Sequence, residues 1–214
     1  MMTALLPLAG LLFGADGAAA PEPDGGGATE RRPVERFAIR AVTTTEPVVA
    51  LTFDACATLK QPNGFDRKMF DILAAERIPA TLYLTGRWVE KHPASAKAIA
   101  AAPFIELGNH SYSHPRLTLV GGRRLRWKIR WTSKILEKRI GRKPLTLRPP
   151  AGAWNADVLR AASQESLPVV TWSVISGGVG GWTSPRRMAA RVLDRTKPGS
   201  IVIFHINGRE PSSA

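Results

Sequence analysis

The chain has 214 residues, 44% of them hydrophobic, enough to bury one domain-sized core. A formal net charge of +13 favours negatively charged partners, whether an acidic polymer, an anionic membrane surface or a nucleic acid. The single cysteine, Cys56, excludes an intramolecular disulfide framework and a zinc site built from cysteines.

Residues 1–20 are apolar and Ala-rich, with Leu5 to Phe13 as an h-region and Ala18-Ala19-Ala20 as a small-residue cleavage site before Pro21, although no Lys or Arg precedes the run. This stretch reads as a signal peptide, which makes the protein secreted or periplasmic. The run is too short for a membrane span and nothing later approaches one. Residues 21–46, rich in Pro, Gly, Thr and charge, read as a flexible linker with a short strand at Phe37-Ala38-Ile39-Arg40.

Order is expected from Pro47. Val48 to Phe53 is a buried-strand pattern ending at Asp54. Phe65 to Arg77 carries Phe65, Met69, Ile72 and Leu73 at helical spacing. Ala80 to Leu84 is a second strand, Trp88 to Ala101 a helix, and Phe104 to Leu107 a third strand running into Gly108. Leu125 to Ile140 is a long helix, Thr146 to Arg148 a strand stopped by Pro149-Pro150, and Asn155 to Ser163 a helix with Asn155 or Asp157 near its start. Pro168 to Val174 is a strand, Pro185 to Thr196 a helix, and Gly199 to Phe204 a last strand ending at His205. Strands and helices alternate, and the strands are continuous apolar runs. That pattern predicts a parallel sheet wrapped by helices, either a barrel or a doubly wound sheet.

The chemistry-bearing residues fall at the carboxyl ends of strands, the edge where such folds bind ligands: Asp54, His110, His114, Arg148 and His205. His110 and His114 are four apart, and on a helical turn both imidazoles would point at a single ion. A divalent cation held there lowers the pKa of its water and polarises a carbonyl. Asp54 could take a proton from that water, Arg148 could pair with Asp54, and His205 could protonate a leaving group. Each also has an ordinary reading: Asp54 as a turn cap, Arg148 as a surface cation, His205 as a hydrogen-bonded core histidine. Their joint placement in strand-end order is what favours chemistry, and the set suits metal-assisted hydrolysis of an amide or ester.

Thr52-Phe53-Asp54, Asn109-His110-Ser111-Tyr112-Ser113-His114, Arg148-Pro149-Pro150 and Ile203-Phe204-His205 resemble successive motifs of the polysaccharide deacetylase family, the NodB-homology domain. The resemblance spans roughly residues 47–209 and implies an α/β fold, a distorted (β/α) barrel. It implies removal of N- or O-acetyl groups from peptidoglycan, chitin or a related acetylated polysaccharide, with a divalent metal ion, zinc foremost and cobalt or nickel as substitutes. Carried over, Asp54 matches the catalytic base, His205 the catalytic acid and Arg148 the arginine paired with the base. His110 and His114 match the two histidine metal ligands. Trp172 and Trp154 are the candidate sugar-binding aromatics.

Two positions depart from the family pattern. Where the family has a second aspartate as third metal ligand, this chain has Ala55, followed by Cys56. The metal is then held by two histidines and water, or a neighbouring group takes over, or affinity is lost; the adjacent Cys56 thiolate is the minor alternative. Around Trp172 the aspartate that tunes the acid histidine is absent. The chain also stops soon after the His205 motif, with 210–214 read as a tail, so the barrel is expected to be incomplete at that end. These departures keep open a second reading, a catalytically impaired glycan-binding protein of the same fold. Arg123 to Lys143 holds ten Lys or Arg against Glu137 alone, interleaved with Trp127 and Trp131. It is read as a solvated helix face with inward-packed tryptophans. No nucleic-acid-binding motif accompanies it, so no nucleic-acid partner is expected.

Overall fold

The computed structural model describes residues 4–5, 37–57, 64–177 and 184–207. Most of the expected leader and linker, and all of the expected tail, lie outside the described residues. The strands are β1 (Ala4–Leu5), β2 (Val48–Ala55), β3 (Ala80–Leu84), β4 (Ile105–Asn109), β5 (Thr146–Leu147), β6 (Val174–Ile175) and β7 (Ile201–His205). The helices are α1 (Arg67–Ala75), α2 (Gly86–Lys91), α3 (Pro93–Ala100), α4 (Gly122–Ile140), α5 (Ala156–Ser163) and α6 (Pro185–Arg195).

The sheet runs in the order β5-β4-β3-β2-β7-β6, with every neighbouring pair parallel, and β1 lies parallel to the first residues of β2. Such a sheet is covered on both faces, which is why β3 is buried along its whole length and reads as an unbroken apolar run. One core cluster packs Leu82, Leu84, Ile105 and Leu107 of the strands against Trp88, Ile99, Leu136 and Ile140 of the helices. Four of these helices, α1, α2, α5 and α6, begin on side-chain caps: Asp66 accepts from Met69 N, Thr85 from Trp88 N, Asn155 from Val158 N and Ser184 from Arg187 N. α4 ends on Gly141 with φ +81°, a left-handed cap that a side chain would strain.

The stretch Pro168 to Val174 is not one strand. Leu147 of β5 pairs with Val169, Val170 pairs with Ile39, and the chain then crosses to β7, where Val174–Ile175 forms β6. Ala41 in turn bridges Ser200 ahead of β7. A segment that pairs first with one edge of the sheet and then with the other curls the sheet round, and the result is a distorted (β/α) barrel.

Three further expectations are corrected. The helix expected across Trp88 to Ala101 is two helices, because Pro93 supplies no N–H and pushes His92 out of the helical region (φ −122°, ψ 61°). On α1 the buried residues are Phe70 and Leu73, while Ile72 is 60% exposed. On α4 the inward face is Leu125, Ile129, Thr132 and Leu136, whereas Trp127 and Trp131 are 48% and 40% exposed. One helical turn apart on the flank, the two indoles stack on each other with centroids 6.1 Å apart instead of entering the core.

Candidate active site

Parallel pairing brings the strand ends to one rim. The register sets Asp54 beside Tyr83 of β3 on one side and His205 of β7 on the other. Arg148, fully buried just beyond β5, donates from Nη1 to Asp54 Oδ1 at 2.8 Å and from Nη2 to the Thr171 carbonyl at 3.0 Å. Its guanidinium carbon lies 4.0 Å from the centroid of the Tyr83 ring and 5.6 Å from that of Trp172. Burial opposes ionisation of Asp54, but the charges of Arg148, His110 and His205 and the hydrogen bond from Arg148 outweigh it and hold the carboxyl below its usual value. A buried carboxylate kept ionised, with Oδ2 directed toward His110, is a base ready to accept a proton.

Tyr83 is the floor of this pair. Its hydroxyl shares a 2.8 Å hydrogen bond with Thr146 Oγ1, and burial pushes the phenol up to about 12. Gly108 makes room for the ring: a Cβ there would lie 2.3 Å from Tyr83 Cδ1. A tyrosine inside an apolar strand carries no sequence signal for this role.

The histidines are not on a helix. They flank an irregular loop after β4 in which Ser111 (φ 65°) and His114 (φ 57°) adopt left-handed backbone, and this fold-back sets the two rings 5.0 Å apart, centroid to centroid. Asn109 secures the loop. Its Nδ2 donates to the Ile129 carbonyl at 2.8 Å and to Ser133 Oγ at 2.9 Å on α4, while its Oδ1 accepts from Ser111 N at 2.8 Å. His110 is buried, and Nδ1 lies 2.7 Å from the Arg148 carbonyl oxygen. The carbonyl only accepts, so Nδ1 carries the proton and Nε2 is left with its lone pair. Burial, against the pull of Asp54, brings His110 down to about 4, so the ring is neutral near pH 7. Burial likewise lowers His114, which is half-buried.

These side chains fit a divalent cation. His110 Nε2 is buried with no hydrogen-bond partner, 3.4 Å from Asp54 Oδ2. A lone pair facing a carboxylate oxygen is favourable only when positive charge lies close to both. Cys56, 5% exposed, joins the histidines: one ligand atom from each of Cys56, His110 and His114 lies within 4.8 Å of the other two. Burial and the nearby Asp54 push its thiol well up. Strand alternation was the available signal, since residue 56 falls two beyond Asp54 and returns to its face. Of the two candidate sugar-binding aromatics, Trp172 is partly buried beside Arg148, and Trp154, past the turn Pro150–Gly152, is 38% exposed.

A family model described as polysaccharide deacetylase matches residues 41–170. A peptidoglycan-N-acetylglucosamine deacetylase of Bacillus cereus is 35% identical over 73% of this chain and 55% of its own length. A chitooligosaccharide deacetylase of Sinorhizobium fredii is 30% identical over 76% of this chain and 73% of its own. Among solved structures, a CE4 family pseudoenzyme from Bacillus anthracis superposes with a TM-score of 0.73 at 25% identity, over 81% of this chain and 60% of that one. The chain spans about half the length of the Bacillus cereus relative.

Proposed function

The chain belongs to the polysaccharide deacetylase family, and from that premise we propose that it is a metal-dependent hydrolase removing acetyl groups from a polysaccharide outside the cytoplasm. Residues 47–209 form the catalytic domain behind a signal peptide (1–20), and the described end of the expected linker, residues 37–46, joins that domain through the Ile39–Val170 and Ala41–Ser200 bridges. The substrate class is an acetylated glycan such as peptidoglycan or a chitin-like chain, the classes acted on by the matched relatives. No described helix is long and apolar enough to cross a membrane.

The observation that carries this reading is the buried Asp54–Arg148–His110 group, with His205 in register beside Asp54. His110 and His114 would hold the divalent cation, zinc foremost with cobalt or nickel as substitutes. When bound it acidifies water and polarises the acetyl carbonyl. Asp54, kept ionised by Arg148, accepts a proton as a water oxygen adds to the carbonyl carbon. His205, at the end of the adjacent strand, donates a proton to the departing amine nitrogen or alkoxide oxygen as the acyl bond breaks. The products are acetate and the freed amine or hydroxyl. Trp172 and Trp154 present aromatic faces suited to sugar rings.

Acetate release from acetylated chitooligosaccharides and peptidoglycan, with zinc or cobalt supplied, tests the proposal. Asp54→Asn should cut turnover by roughly 100-fold or more, the scale of a general base. Turnover unchanged by Asp54→Asn or His110→Ala would sink it. A second reading, a glycan-binding protein without catalysis, is favoured by Ala55 in place of the family's second aspartate and by the likeness to a pseudoenzyme. Glycan binding without any metal uptake would select that second reading.

A further inference from the structure

The metal site proposed above lacks its usual carboxylate because residue 55 is alanine, which has no donor atom, and the geometry of β2 brings up a different side chain. Successive side chains of a strand point to opposite faces. Asp54 faces the histidine loop, so Ala55 faces away: it is fully buried and packs in the core cluster with Leu82, Leu84 and Trp88. The next side chain on the Asp54 side of the chain belongs to Cys56. The backbone there is held firmly. Asn207, just past β7, accepts from Cys56 N through Oδ1 at 3.2 Å and donates from Nδ2 to the Cys56 carbonyl at 3.1 Å.

Among the described residues, Cys56, His110 and His114 form the one group of ligand-type side chains whose donor atoms all lie within 4.8 Å of one another. A tetrahedral ion with ordinary zinc–sulfur and zinc–nitrogen bonds sets such atoms roughly 3.5 Å apart, so the group closes by about an ångström at its widest. A second mark is His110 Nε2, buried and without a hydrogen-bond partner, 3.4 Å from Asp54 Oδ2.

We infer that Cys56 Sγ is the third protein ligand of the cation, giving a two-imidazole, one-thiolate donor set. The inference rests on the reading of His110 and His114 as metal ligands. On ligation the thiol proton passes to solvent and the sulfur coordinates as thiolate. A thiolate selects zinc and cobalt over hard cations such as magnesium, calcium and manganese, which prefer oxygen donors. The fourth position stays open for water or substrate, as a catalytic site requires.

Cobalt(II) titration of the metal-free full chain, followed by absorption spectroscopy, tests this without relying on activity. The chain has one cysteine, so any thiolate-to-cobalt charge-transfer band in the near ultraviolet comes from Cys56. Wild type should show that band, saturating at one cobalt per chain, together with the visible bands of four-coordinate cobalt. Zinc should abolish both, and magnesium in excess should not. Cys56→Ser should lose the near-ultraviolet band and bind cobalt at least about tenfold more weakly, since even residues that merely orient ligands are worth 10–100-fold. Should that variant unfold, the wild-type spectrum alone decides. Cobalt bound without the thiolate band overturns the Cys56 assignment and leaves the two-histidine reading standing; no uptake of cobalt or zinc overturns both.

Discussion

Replacing Arg148 by methionine probes the buried ion pair most directly. Arg148 is fully buried and Asp54 is 3% exposed, so removing the guanidinium leaves a carboxylate charge with no neutralising partner in a low-dielectric interior. Methionine keeps most of the aliphatic stem, so the loss is electrostatic more than a cavity. Breaking a buried pair in this way costs about 3–5 kcal/mol. The freed Thr171 carbonyl and the lost contact with the Tyr83 ring lie within the same effect and do not simply add. Asp54→Asn in the same background removes the stranded charge, so the double variant should recover about half of the deficit or more. The assay is urea unfolding of all four proteins in the presence of a chelator, compared through midpoint and slope. An Arg148→Met cost under about 1 kcal/mol, or a double variant as unstable as the two single losses summed, refutes an energetically coupled pair.

Gly108→Ala should lower the melting temperature sharply, by at least the 1–3 kcal/mol typical of overpacking, because its Cβ would lie 2.3 Å from the buried Tyr83 ring. Phenol ionisation followed by ultraviolet absorbance should show no tyrosine titrating at its ordinary value: burial raises Tyr112, and burial raises Tyr83 to about 12. The sign follows from a folded value above the unfolded one. The stability that Tyr83 contributes is complete below about pH 10 and is lost as pH rises toward about 12, where ionisation of the buried phenol opens the fold. Asn109→Ala should weaken cobalt binding by about 10–100-fold while the protein still melts cooperatively, since Asn109 positions the histidine loop from α4 without touching the ion. Unchanged affinity would assign the loop's conformation to its own backbone.

The sequence made the alternation of strands and helices legible because buried parallel strands are largely apolar on both faces, and β2, β3 and β7 carry that signature most plainly. The strand-end residues Asp54, His110, Arg148 and His205 were legible by position. What escaped was set by tertiary structure. Pro168 to Val174 looks like one strand, yet barrel curvature makes it change partners midway. Trp127 and Trp131 lie at a spacing compatible with burial, but aliphatic residues already fill that face of α4. His110 and His114 meet through left-handed loop residues rather than a helical turn. Cys56 ranked as the minor alternative in the sequence because its place beside both histidines is set by the fold of the loop after β4, while Ala55 packs into the core.

The pairing of β2 with β7 also bears on how the protein comes into being. Thr52 Oγ1 bonds to the Val202 carbonyl across 150 residues of sequence, and the same register sets His205 beside Asp54. Contacts of such long range are slow to form, because the loop between them must close first. In chain order β3, β4 and β5 all precede β7, so His205 can pair beside Asp54 only after the whole intervening chain exists. Asp54, Arg148 and both histidines can thus meet before His205 reaches them, and the rim is complete only once β2 has found its last partner.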